Sequence, residues 1–344
     1  MRNSAHTISQ SAASPDAYKS HMYGDHADVI IERLIKMKRT LITSSIVLAT
    51  GLVAAALTPA AAQAAPAATG SADAYFIGRL SGANEVPVAG GPAVGDRDGS
   101  AYVVIRISGN RVSFAGRWAK IGAPTAFHIH KGKAGTNGDV KIGFFGEALP
   151  GSARAVAGGV TVNDRALLAG IRKNPKNWYL NLHTAQFPGG AVRAQLQRIA
   201  RPVDLTDVLA HDTHARLKSD ANGAQEVRAP GKKVGDRDGA ARWLVGVKDT
   251  KLRYAAIWSD LDPITNGHIH RGKKGVNGPV VADLFADANG LPGSIWGIAG
   301  VAPVKRDIAR GIVKNPKNWY TNLHTTKFAD GAVRGQLRSA HGSW

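Results

Sequence analysis

"HIHKGKAGTNG", residues 128–138, returns almost unchanged as "HIHRGKKGVNG" at residues 268–278. Successive side chains of an extended strand point to opposite faces, so His128 and His130 share one face while Phe127 and Ile129 occupy the other. The glycines that follow, Gly132, Gly135 and Gly138, read as a loop of permissive backbone that ends the strand. This loop opens no helix, so it is not a phosphate-binding loop. A segment that is apolar on one side and carries histidine on the other is a half-buried strand, and its recurrence makes the chain a tandem repeat.

The repeat extends in both directions. "AVGDRDGSAYVVIRISGNRVSFAGRW" from Ala93 answers to "KVGDRDGAARWLVGVKDTKLRYAAIW" from Lys233, and "KNPKNWYLNLHT" from Lys173 answers to "KNPKNWYTNLHT" from Lys314. The spacing predicts one domain over 72–200, a linker over 201–210 near Pro202, and a second domain over 211–340. Within a copy, "AYFIGRLSG", "SAYVVIRIS", "RVSFAGRWA", "AFHIHKG", "VKIGFFG", "AVAGGVTV", "WYLNLHT" and "AVRAQLQ" are short runs bounded by Gly, Asn, Asp or Pro, the pattern of antiparallel strands. One helix interrupts each copy: "NDRALLAGIRKNP" has Asn163 or Asp164 as N-cap, an apolar stripe of Leu167, Leu168 and Ile171, and Pro175 as a stop. The expected fold is all-β: two tandem Greek-key, immunoglobulin-like β-sandwiches, each with one short crossover helix. A closed barrel is the second choice.

In "YLNLHT", Asn181 and His183 share a face, and Leu180 and Leu182 take the other. If the leucines join Phe127 and Ile129 in one core, His128, His130 and His183 stand together on the opposite side. The second copy predicts His268, His270 and His324 in the same arrangement, with Asn322 in the place of Asn181. Residues 72–200 hold no histidine besides these three. A three-imidazole site with a fourth position open suits Cu or Zn. Asn181 and Asn322 are the residues expected to orient the ligands. The competing reading makes the same histidines structural, bonded to Asn and Thr neighbours. Identical triads predict avidity or doubled capacity, not a division of labour.

Other repeated signals are weaker. The Asp96/Asp98 and Asp236/Asp238 turns "GDRDG" could bind calcium, but such turns more often serve only to reverse the chain. Trp178 and Trp319 of "NPKNW" are expected to plant an indole in the core after the helix. Glu85 and Glu226 are the only glutamates common to both copies, and neither adjoins a histidine in sequence. There is no G-x-S-x-G elbow, so the reading leans away from an enzyme.

The chain has no cysteine, which excludes thiolate metal sites, cysteine nucleophiles and disulfides. Its formal charge is +19. Residues 72–200 carry 16 Lys+Arg against 7 Asp+Glu and residues 211–344 carry 21 against 12, so the excess of +9 is the same in each. Such a field attracts an anionic cell-wall polymer or an acidic extracellular protein, and no motif for specific nucleic-acid binding accompanies it. "MKRT" from Met37, the apolar run behind it and Ala62-Gln63-Ala64 together predict a signal peptide over 37–64. Residues 1–36 then read as a non-structured or mis-assigned start. The mature protein is expected to be secreted, in part associated with the cell wall, and without a membrane span.

"GANEVP", "HIHKGKAGTNGDV", "NWYLNLHT" and "GGAVRAQL" together resemble the CHRD domain, named for the repeats of the developmental antagonist chordin and common in exported bacterial proteins. The resemblance covers nearly all of both copies. It implies an immunoglobulin-like sandwich, exported and often present in several copies, with no settled bacterial activity. The family usually writes Gly-Glu before the last strand, where this chain has Gly190-Ala191 and Gly331-Ala332. The His-x-His strand also resembles the copper strand of Cu/Zn superoxide dismutase, an analogy at the level of one strand. That enzyme's two-metal chemistry needs further histidines and a disulfide that residues 72–200 lack. The expectation is therefore metal binding through one three-histidine site per domain, ahead of an adhesive module and, last, a single-metal copper oxidoreductase.

Overall fold

The computed structural model describes residues 72–340 and Trp344. The leader read over 37–64 and the segment 1–36 lie outside the described residues.

The first copy contains nine strands: β1 (Ala74–Ser81), β2 (Ser100–Ser108), β3 (Arg111–Ala119), β4 (Pro124–Lys131), β5 (Val140–Phe145), β6 (Ala153–Thr161), β7 (Trp178–Thr184), β8 (Val192–Gln195) and β9 (Gln197–Ile199). The helix α1 (Arg165–Lys173) crosses from β6 to β7. Asp164, not Asn163, caps it, its Oδ1 accepting from the Leu167 backbone N–H at 2.9 Å. After the helix α2 (Leu205–Ala210), the second copy repeats the order with β10 (Leu217–Asn222), β11 (Ala240–Lys248), β12 (Lys251–Ser259), β13 (Ile264–Arg271), β14 (Val280–Ala286) and β15 (Ile295–Pro303). It closes with α3 (Arg306–Lys314), β16 (Trp319–Thr325), β17 (Val333–Gln336) and β18 (Arg338–Ser339). The eight strands read in the first copy are all present. The last run divides at Leu196, whose fully buried side chain separates β8 from β9.

All strand pairing within a copy is antiparallel. In the first copy β6, β3, β2 and β1 form one layer and β8, β7, β4 and β5 the other, joined where β1 meets β8 and β9. The apolar face of each half-buried strand supplies the sandwich interior. Phe114 of β3 meets Phe127 of β4 edge-on at 5.1 Å and Phe144 of β5 at 4.6 Å, so aromatic contacts tie the two layers together. Trp178 and Trp319 are buried in this core, as the sequence reading expected.

The copies are not strung apart. β6 pairs antiparallel with β15, with Val156 opposite Ile298, Ala155 opposite Ala299 and Ala157 opposite Gly297. Two further hydrogen bonds extend the ladder, Gly159 N–H to the Ser294 carbonyl at 2.8 Å and Val301 N–H to the Ser152 carbonyl at 3.0 Å. The layer of one copy therefore continues into that of the other. α2, in the segment between the copies, lies on the outer face of this joint. Leu205, Val208 and Leu209 form a second core with Val104, Ala115, Ala155 and Ala157 from one side and Leu244, Ala255 and Ala299 from the other.

Candidate metal centre

The register explains how the histidines meet. β4 lies beside β7 with His128 opposite Asn181, Ala126 opposite His183 and His130 opposite Tyr179. Phe127, Ile129, Leu180 and Leu182 fill the core behind them. His128, His130 and His183 thus gather on the outward face, where one nitrogen from each lies within 4.8 Å of those of the other two. His268, His270 and His324 form the matching cluster between β13 and β16. Among the described residues these two triads are the side-chain clusters that could hold a metal ion.

Each triad is arranged with its lone pairs inward. The Nδ1 of His130 lies 2.9 Å from the Gly138 carbonyl, and that of His183 lies 3.0 Å from the Pro188 carbonyl. A carbonyl oxygen only accepts, so both Nδ1 atoms carry the proton and both Nε2 atoms are left as acceptors. Those two Nε2 atoms and the Nδ1 of His128 are buried and have no hydrogen-bond partner. The second copy repeats the contacts, His270 Nδ1 to Gly278 at 3.0 Å and His324 Nδ1 to Ala329 at 2.9 Å.

There the third histidine is placed more tightly. His268 Nδ1 lies 3.1 Å from His324 Nε2, and its own Nε2 lies 3.3 Å from Asp283 Oδ1. With His324 Nε2 an acceptor and Asp283 a carboxylate, a neutral His268 satisfies one neighbour and turns a lone pair on the other. A cation between the rings resolves the conflict. Protonation is opposed by burial, reinforced by the neighbouring imidazoles, which pushes both His128 and His268 down to about 4. A metal ion would meet the same need without a proton.

The loop after the His-x-His strand is held by a residue that the sequence reading passed over. Arg193 is only 1% exposed. It donates to the carbonyls of Lys133 at 3.0 Å and Thr136 at 2.7 Å and to Asn137 Oδ1 at 2.9 Å. Its guanidinium sits 3.5 Å from the centre of the Tyr179 ring, which stacks on His130 at 4.7 Å. Arg334, Tyr320 and His270 form the same stack in the second copy. The clamp fixes the Gly138 carbonyl on which His130 depends. The signal was in the repeated "GAVRAQL" and "GAVRGQL", where an arginine interrupts an apolar strand.

Asn181 and Asn322 sit directly across from His128 and His268, but their amides point to Glu85 at 3.5 Å and Glu226 at 2.8 Å. The orienting contacts on the histidines come from backbone carbonyls instead. Burial raises both glutamates to about 7, against the opposing pull of Arg193 or Arg334 and the asparagine amides. The "GDRDG" turn carries no such cluster; Asp98 faces Lys120 at 3.9 Å, a loose surface pair.

The CHRD domain profile matches residues 76–196 and 217–337, one match for each copy. No curated protein matches the chain, and no solved structure does. The two matches cover more than half of the sequence and take in both histidine triads: the chain belongs to the CHRD domain family, as two tandem copies.

Proposed function

We propose that this protein is an exported metal-binding protein that holds one Cu or Zn ion in each CHRD domain, on His128, His130 and His183 and on His268, His270 and His324. One observation carries the reading: in each copy two Nδ1–H groups are spent on backbone carbonyls, which leaves His130 Nε2, His183 Nε2 and His128 Nδ1 of the first copy and His270 Nε2 of the second buried without a hydrogen-bond partner, while His268 Nδ1 lies 3.1 Å from His324 Nε2. Buried acceptors without a donor are unfavourable unless something positive joins them. Three imidazole nitrogens are a donor set suited to Cu or Zn, and the bound ion would supply a Lewis-acid or redox centre with a fourth position open. The chain's own residues hold the rings in one tautomer and one orientation, through Gly138, Pro188, Gly278 and Ala329. Export rests on the leader read over 37–64, and no helix among the described residues is long and apolar enough to cross a membrane.

The test is metal content per chain in the untagged mature protein. Close to two ions per chain are expected, falling to one when His128, His130 and His183 are all replaced by alanine. No metal after exposure to Cu and Zn would defeat the reading.

A second reading follows from the charge of +9 on each copy: an adhesive module for an anionic wall polymer or an acidic extracellular protein, its histidines structural. Salt-sensitive retention on cell walls that does not depend on metal would favour it. A single-metal copper oxidoreductase ranks third, and metal-dependent turnover of superoxide or peroxide would bring it forward.

A further inference from the structure

The two triads are alike in ligands but differ in their surroundings. On the strand beside the His-x-His pair, His128 faces Gly143 in the first copy and His268 faces Asp283 in the second. In the turn after the third histidine, "FPGG" of the first copy becomes "FADG" in the second, so Asp330 replaces Gly189. Two carboxylates thus stand at the rim of one centre where the other has two glycines. Asp283 lies 3.3 Å from His268 Nε2, and Asp330 lies within 2.8 Å of Lys232 Nζ and takes the Lys233 N–H at 3.1 Å. The His268 and His324 rings are also closer, 4.8 Å between centres against 5.1 Å for His128 and His183.

The exchange of Gly143 for Asp283 is the difference that bears on a ligand ring. A carboxylate accepting from the outer nitrogen of a ligating imidazole fixes its tautomer, holds its plane and makes the inner nitrogen a better donor; losing such a partner typically weakens metal affinity about 10–100-fold. Asp330 is already paired with Lys232, so Asp283 is the carboxylate that offsets the repulsion between a dication and this basic protein. His128 has no such partner, because glycine at 143 leaves its outer nitrogen to solvent or to whatever approaches.

Resting on the metal-binding reading above, we propose that the two centres are graded. The centre of the second domain fills first and retains its ion, the centre of the first domain binds more weakly and exchanges it, and Asp283 is the residue that sets the difference. The tandem would then be a retaining site coupled to a delivering site, and not a doubled capacity.

Calorimetric titration with Zn²⁺, in the presence of a competing chelator, tests this on four full-length mature proteins: the wild type, Asp283→Gly, Gly143→Asp and the double swap. The wild type should show two classes of site separated by about 10–100-fold. Asp283→Gly should merge them into one weak class, and Gly143→Asp should merge them into one tight class. The double swap should restore two classes, with His183→Ala now abolishing the tight one and not the weak one. Position 283 is 81% exposed and Gly143 has ordinary backbone with only the His128 ring near its face, so these substitutions leave the core untouched. Two equivalent sites in the wild type, or two classes unmoved by either exchange, would overturn the grading while leaving metal binding intact. No zinc bound by any of the four would overturn metal binding itself, and the grading with it.

Discussion

Val156 and Ile298 are each the fourth residue of their strands, β6 and β15, and they lie directly opposite one another in the ladder that joins the two copies. Equivalent positions meeting face to face define a local two-fold axis, so the copies associate within one chain as the halves of a symmetric dimer would. The edge that each sandwich would otherwise leave open is closed by its twin.

Because α2 seals this joint with side chains from both copies, the copies should unfold together. Leu209→Ala, in the second core, is expected to cost about 2–5 kcal/mol and to lower a single calorimetric transition. Two separated transitions, only one of them shifted, would mean that the copies are independent.

Arg193 is a buried cation whose fork is filled by two carbonyls and an amide oxygen. Arg193→Ala strands those acceptors and should destabilise the protein by more than about 3 kcal/mol. Arg193→Lys keeps the charge but cannot bridge three acceptors from one plane, so most of the loss should remain. Because the clamped loop carries the Gly138 carbonyl, zinc affinity of the first centre should weaken in the lysine variant while that of the second is unchanged. Denaturant titration and single-site zinc binding check the two parts.

Gly190 has φ +136°, and a methyl group there would stand 2.7 Å from both carboxyl oxygens of Glu85. Gly190→Ala is therefore expected to cost about 1–3 kcal/mol from backbone strain and crowding together. Adding Glu85→Ala should recover part of the crowding, since Asn181 Nδ2 also stands 2.8 Å from that methyl, and none of the strain. Strict additivity in that double-mutant cycle would show that the two residues do not touch.

The pH dependence of the metal-free protein should carry opposing contributions. Glu85 and Glu226 are raised by burial from 4.5 to about 7, so the folded protein keeps protons that the unfolded chain releases, and their contribution to stability is lost as pH climbs through that interval. His128 and His268 are lowered from 6.5 to about 4, so their contribution is lost as pH falls through theirs. The double variant Glu85→Gln, Glu226→Gln keeps only the histidine part. Its melting temperature relative to wild type should rise steadily between pH 4.5 and pH 7, and a constant difference would mean that the carboxyls titrate at ordinary values.

The sequence by itself determined the strands, the helix of each copy, the tandem repeat and the membership of both triads. These are local properties: a period of two places Phe127 and Ile129 opposite His128 and His130, and Asp164 and Pro175 bound the helix whatever lies around them. Even the pairing of His183 with the His-x-His strand was within reach, because Leu180 and Leu182 had to face the same core as Phe127 and Ile129.

Only the tertiary structure decided what holds and tunes the rings. The carbonyl on His130 belongs to a loop that Arg193, far along the chain, holds in place, the carbonyl on His183 belongs to the turn at Pro188, and a backbone oxygen leaves no mark on the residue type that carries it. Asn181 has the right register to orient a histidine, but the loop after β1 brings Glu85 to its amide first. The difference between Gly143 and Asp283 is visible as letters, yet it acquires meaning only when β14 lies beside β13. Likewise the segment around Pro202 reads as a tether, since nothing local in it reports that β6 and β15 will pair above it and bury Leu205, Val208 and Leu209. Hydrophobic periodicity fixes which face a strand turns to a core, whereas which strands meet is set by closure of the whole sheet, and the chemistry of this site lies in those meetings.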